Sequence, residues 1–499
     1  MQGLTFAELL KRSRELGIDV RSTRKVYLRP PANVWRHLCK LWGWEFSESI
    51  ARDWLLELVK PIPGLIDAPL LWQAALAIFL CNDMGGRKSL LDDNYFYWPN
   101  EVANVSPLVW LSYTVHVDDL LSAGTIPWLV WGAEKLEIKF GKVSRNPLPF
   151  THVGLEHERL SNGTIYVHQY PYLEGIEKIT MSKTRAAQKN DDCTPSEKHE
   201  YRSLLQQVMW LTMTRLDAVG ECTLLQQAAQ QPQIQHVTSL NSFVDRLKRA
   251  GPGLGLYYAR LVPPLRMVTI SDASHATRLS SFAQEGAIIC IMEDKLRREL
   301  IDSRHDVVPK EYYSLLEGQA HFLHHVGSKS KRISHSTSHA ESLIASKAHQ
   351  HAHLLNMRIT EVVSSHLVRS LHHQPLTALM IAQDRNIVAL PMDHVTDCHD
   401  LLLLATGQKG IPTDKSQRLV ILSIREERLS GRIRRFFHYP TTSIVCDSLT
   451  KPGTFPLLLR FLSSGHMSVI VGSDKHISVR QVNSPEQEYS EHDLVSMNQ

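Results

Sequence analysis

The sequence predicts a mixed chain, α+β in its first part and α/β in its last, with about three domains. Three observations carry this. The 499 residues are 43% apolar and 21% charged, the balance of a chain that buries a real core. Strand and turn signals of hairpin type dominate the first third. In the last half, a strand-rich block from about 254 to 335 is followed by a helical run and then by mixed elements.

In chain order, Met1 to Leu16 reads as an amphipathic helix, with Phe6, Leu9 and Leu10 among charges. Asp67 before Ala68-Pro69 is a helix start, because Asp caps and Pro tolerates the first turn. That helix should stop near Gly85-Gly86. Tyr95 to Trp98 and Leu108 to Val117 read as strands, with Asp118-Asp119 at a hairpin tip before Leu120-Leu121 resumes. Pro127 to Phe140 has helical spacing. Gly154 to Leu160 and Ile165 to His168 form a hairpin around Asn162-Gly163, whose residues accept positive φ. The polar stretch 186–200 reads as a linker, and 201–250 as helical. A helix is expected over about 339–356, mixed α/β from there to about 465, and a polar, frayed end. The expected domains are 1–185, 186–252, 253–465 and a tail over 466–499.

Composition excludes several classes. Lys and Arg number 55 against 51 Asp and Glu, a net charge of +4, so any basic surface is local. Seven cysteines without a C-x-x-C argue against a disulfide scaffold and a zinc ribbon. No apolar run reaches the ~18 residues of a membrane span, and no secretory signal is present. An intracellular protein, cytoplasmic or nuclear, is the expectation, with no membrane partner. His335, His339, His349, His351 and His353 lack a Cys or Glu partner at a zinc spacing.

The chemistry-bearing residues are acids. Val117-Asp118-Asp119-Leu120-Leu121 sets two carboxylates side by side. Like charges raise each other's pKa, and a divalent cation relieves them. Alone, such a pair reads as an exposed acidic turn. Upstream stands Lys60-Pro61-Ile62-Pro63-Gly64-Leu65-Ile66-Asp67-Ala68-Pro69-Leu70-Leu71-Trp72. Downstream stand Lys139-Phe140-Gly141-Lys142, Gly154-Leu155-Glu156 and Asn162-Gly163. In the second half, Val268-Thr269-Ile270-Ser271-Asp272 is a β-branched run ending in an acid. Ser336-Thr337-Ser338-His339-Ala340-Glu341 opens a helix, His394-Val395-Thr396-Asp397 is a short strand ending in an acid, and Val445-Cys446-Asp447-Ser448-Leu449-Thr450-Lys451-Pro452 follows.

This order resembles the reverse transcriptase and RNase H region of copia-type retrotransposon Pol polyproteins. The patterns there are K-P-x-Y-G-L-K-D-A-P-R-x-W, Y-V-D-D-L-L, S-S-T-E-A-E-Y and A-D-x-L-T-K. Tyr201-Arg202 through Thr214-Arg215-Leu216-Asp217 is similar to the family's connection segment. The likeness spans about residues 1 to 460. It implies a palm-and-thumb remnant, a helical connection and an RNase H-like domain. Asp118 and Asp119 would be polymerase metal ligands, and Lys60, Gly64 and Trp72 would contact substrate. Asp272, Glu341, Asp397 and Asp447 would form the nuclease quartet, with Asp384 a rival for the third place. Mg²⁺ or Mn²⁺ would be the cofactor. An RNA–DNA hybrid, an RNA template and a DNA primer would be the partners. Pro63, Leu70, His116, Leu216 and His339 depart from the family pattern. The family's first polymerase Asp would precede residue 1, so polymerase activity is expected to be lost. The alternative expectation is a non-catalytic relic that at most binds nucleic acid. Basic residues Lys329, Lys331, Arg332 and the run Arg425 to Arg435 read either as a solvated face or as a phosphate grip.

Overall fold

Alternating apolar residues make the strands, and β-branched runs make the buried ones. The computed structural model describes residues 6–16, 27–57, 68–100, 102, 106–274, 282–295, 317–451, 453 and 455–468. Lys60 and Gly64 lie outside them, as does Asp67. The chain divides into two compact units, Met1–Arg145 with Glu361–Leu376, and Asn146–Thr360 with Thr377–Gln499. Residues 146–185, read from sequence with the first part, lie within the second unit.

In the first unit, helix Phe6–Glu15 precedes strand β1 (Tyr27–Leu28), which pairs with β2 (Leu56–Glu57). Helix Ala32–Trp42 ends on Gly43 at φ 71°, whose N–H reaches the last carbonyls as a left-handed cap does. Helix Ala68–Ile78 runs on through a π-turn, Phe79–Asp83. An antiparallel sheet follows in chain order: β3 (Arg87–Lys88), β4 (Tyr95–Pro99), β5 (Val109–His116) and β6 (Asp119–Gly124). Leu111, Tyr113 and Val115 alternate inward on β5 and bury against Leu76, Leu80, Phe96 and Trp98. Helix Ile126–Phe140 adds Leu136 to this core. Glu361 joins the unit through its carboxylate, which accepts from the Ser89 hydroxyl at 2.8 Å and the Leu90 N–H at 2.7 Å.

The second unit opens with β7 (Phe150–His152), β8 (Leu155–Arg159) and β9 (Ile165–His168), joined to β10 (Leu256–Tyr258) in the order β10-β9-β8-β7. Gly163, at φ 85°, makes the tight turn between β8 and β9. Helices Pro195–Leu211, Val219–Gln227 and Ile234–Arg249 pack around Tyr201, Leu205, Val208, Leu225, Leu240 and Phe243. The stretch read as a linker is ordered at its end. Thr194 and Glu197 form a capping box, and Arg185 bonds the Glu197 carboxylate at 2.9 Å.

The larger sheet has six strands: β11 (Leu265–Ser274), β12 (Gln284–Glu293), β13 (Gly318–Lys329), β14 (Met392–Thr396), β15 (Arg435–His438) and β16 (His466–Met467). Their order is β15-β14-β11-β12-β13-β16. β11, β12, β13 and β16 run antiparallel in turn, while β14 lies parallel to β11 and β15 parallel to β14. His466 and Met467, expected in the tail, are therefore part of the sheet. β11 is central and covered on both faces, so nearly every residue in it is buried. Helix Thr337–Val363 sets Ala340, Ile344, Ala348 and Ala352, each four residues apart, toward the sheet. Leu449, Leu458, Phe461 and Leu462 cover the other face, against Ile270, Ile288 and Cys290. Asp393 on β14 is buried between two arginines, at 3.1 Å from Arg266 and 2.6 Å from Arg434, and Arg434 also holds Asp294 at 2.7 Å.

Candidate metal centre

The parallel register of two strands begins the site. Ile270 on β11 stands opposite Val395 on β14. Two residues further along each strand direction come Asp272 and Asp397, so both acids emerge at one end of the sheet. Helix Thr337–Val363 starts over that end and brings Glu341 in just past its first turn. Asp272, Glu341 and Asp397 each offer an oxygen such that these oxygens all lie within 4.8 Å of one another. Asp272 and Glu341 are 3% and 2% exposed, and Asp397 is half-buried.

Neighbours fix the orientations. The Ala273 N–H donates to one Glu341 oxygen at 2.9 Å. The other, Oε2, is buried without a hydrogen-bond partner among the described residues. The Thr450 hydroxyl donates to Asp272 Oδ2. It reaches that oxygen because Gly286, paired with Asp272 across β11 and β12, has no side chain. A Cβ there would stand 2.7 Å from Thr450 Cγ2.

Burial pushes the Asp272 carboxyl up to about 7, with the carboxylates of Asp447 and Asp397 adding and the Thr450 hydroxyl and Lys451 opposing. Burial and the Asp272 charge hold Glu341 well above the usual carboxylate range. Asp397 is raised as well, by burial first. Two buried acids and a half-buried one, with one orphaned oxygen, form a set of hard donors that could hold a metal ion.

This electrostatic state sets the sign of a pH effect. A carboxyl raised in the folded chain stabilises it fully below its ordinary pKa, and that stability is lost as pH rises from about 4 through about 7. Buried His394 and half-buried His325 have lowered values, chiefly through burial, and act in the opposite direction, losing stability as pH falls below the ordinary histidine range. The difference between wild type and Asp272→Asn isolates the acids. In EDTA, wild type should lose roughly 2–4 kcal/mol relative to the variant between pH 5 and 8. Mg²⁺ should restore it in wild type alone. Melting curves at four pH values check this, and parallel curves for the two proteins would contradict it.

The other sequence-predicted residues fall as follows. Asp447 starts the short helix Asp447–Thr450 and is ion-paired to Lys451 at 2.7 Å, outside the three-acid set. Asp384 ends helix Pro375–Asp384, exposed and likewise outside the set, whereas Asp397 lies within it. Asp118 and Asp119 are exposed at the β5–β6 hairpin, and among the described residues no third acid completes a set with them. The turn residues are Val117 and Asp118, since Asp119 already pairs with His116. Trp72 serves that turn: its indole N–H donates to the Val117 carbonyl at 2.9 Å. In the second basic run, Arg425 bonds the Leu404 carbonyl, Arg432 pairs with Glu427, and Arg434 with Asp393. Lys329, Lys331 and Arg332 are exposed.

Thr450 and Lys451 had no assigned role in the sequence reading. Both sit in the stretch Asp447-Ser448-Leu449-Thr450-Lys451, where a hydroxyl and an ammonium three and four residues past an acid are the signal. Neither a protein-family model nor a curated protein matches the chain. Among the described residues, no helix is long and apolar enough to cross a membrane.

Proposed function

We propose that the chain is a divalent-metal-dependent nuclease of ribonuclease H type, cutting the RNA strand of an RNA–DNA hybrid, and that it derives from a copia-type Pol protein. The observation that carries this is the convergence of Asp272, Glu341 and Asp397 on one strand-end site, with their ligand oxygens within 4.8 Å. The order strand acid, helix acid, strand acid is the one the motif resemblance implies. Mg²⁺ bound there would supply Lewis acidity at a phosphoryl oxygen and lower the pKa of a water. The residues themselves orient and charge the site. Ala273 and Thr450 aim two of the carboxylates, and burial keeps them in a low-dielectric setting where their charge acts strongly. Lys331 and Arg332, exposed shortly before the helix that bears Glu341, offer positive charge to a phosphate backbone.

The test is cleavage of a labelled RNA–DNA hybrid by the full chain. Cutting of the RNA strand in Mg²⁺ that stops in EDTA supports the reading. A folded chain that binds the hybrid without cutting it supports the alternative, a non-catalytic relic. Polymerisation is a separate matter. Asp118 and Asp119 are solvent-exposed, and among the described residues they lack a third acid to complete a metal set. The full chain is therefore expected not to extend a primer on an RNA template, and extension above a no-protein control would contradict this.

A further inference from the structure

Resting on the metal-centre reading above, we infer that this centre takes a single divalent ion, and that the Lys451 ammonium holds the place of a second. Oxygens around one Mg²⁺, at about 2.1 Å from it, stand roughly 3 to 4.2 Å apart. The 4.8 Å spread of the Asp272, Glu341 and Asp397 oxygens is close to that of one shared ion. A second ion about 3.5–4 Å away needs a further carboxylate. Asp447 is the acid at hand, since its charge acts on both Asp272 and Asp397. Its Oδ1 is already bound to Lys451 Nζ at 2.7 Å, one helical turn along the chain.

Lys451 faces more than its own partner. Its charge acts on Asp272, Glu341 and Asp397 together. It therefore supplies these acids with positive charge that a second cation would otherwise bring. The backbone holds it there. Helix Val219–Gln227 approaches through Gly220, where a Cβ would stand 3.1 Å from the Lys451 carbonyl and collide with that of Ser448. The segment Ser448 to Lys451 is thus clamped between this helix and β12, whose Gly286 admits Thr450.

The test counts Mn²⁺. Binding to the full chain is followed by the electron paramagnetic resonance of free Mn²⁺. Each count is taken as the excess over the same chain carrying Asp272→Asn, which removes surface binding from the tally. Wild type should bind one ion. Lys451→Met, which keeps most of the aliphatic stem and removes the charge, should bind two, and Lys451→Gln should do the same. Lys451→Met combined with Asp447→Asn should return to one. Because the Lys451 side chain is 43% exposed, these variants should fold, and melting curves confirm it. Two ions in wild type would overturn the inference and leave the metal centre standing. One ion in both Lys451 variants would overturn the role given to the lysine. No ion in wild type would remove the metal centre itself, and the inference with it.

Discussion

If the proposed nuclease reading holds, Asp272→Asn is expected to lower metal-dependent hybrid cleavage by at least about a thousandfold, equivalent to roughly 4 kcal/mol of transition-state stabilisation. The expectation follows from position. Asp272 lies on the central strand, 3% exposed, and its carboxylate is shared by the Thr450 hydroxyl and the three-acid set. An amide keeps the size and can still accept from Thr450, but it brings no charge to a cation. The same substitution should raise the metal-free melting temperature at pH 8, because it removes a buried charge that burial disfavours. Loss of cutting together with a higher melting temperature separates a disabled site from an unfolded chain. A variant that cuts within tenfold of wild type would contradict the assignment.

Asp393→Ala has the largest expected effect on stability, about 3–5 kcal/mol. Asp393 is fully buried and is shared by Arg266 and Arg434, whose side chains are 2% and 15% exposed. Arg434 keeps Asp294 after the substitution, but Arg266 loses its ion-pair partner inside the sheet. Its Nε already lacks a hydrogen-bond partner among the described residues. Removing one member of a buried pair leaves a charge that neither water nor protein compensates. The exposed pair Lys178–Asp245 is the comparison, and Asp245→Ala should change little. Urea unfolding of both variants checks this. A loss at Asp393 as small as that at Asp245 would contradict it.

Much of the local structure was legible because its causes are local. Asn162-Gly163 fixed a turn through positive φ, and the alternation on Val109–His116 fixed a strand facing a core. Asp272 and Asp397 were legible as candidate site residues because each follows a short run of strand-forming residues, and Glu341 because it lies near the start of a helix. The long interval between Glu341 and Asp397 is occupied by helices Thr337–Val363, Ser365–Leu371 and Pro375–Asp384.

What was not legible depends on pairing across the chain or on competition between signals. The stretch 186–200 is polar, and polarity outweighed Thr194-Pro195-Ser196-Glu197, a capping-box signature that starts a helix. Glu361 supports Ser89 and Leu90 from some 270 positions away, a contact that no local pattern announces. Asp447 reads in sequence as a fourth ligand; in the structure it is ion-paired to Lys451 and is not among the three clustered acids. Only geometry distinguishes a carboxylate that faces a cation site from one already neutralised.

The most direct test of the three-acid set as a metal centre is anomalous diffraction from crystals of the chain soaked in Mn²⁺. The expected result is one strong peak among the Asp272, Glu341 and Asp397 carboxylates, absent from the Asp272→Asn protein. No peak there, or a peak only at the Asp118–Asp119 hairpin, would contradict it.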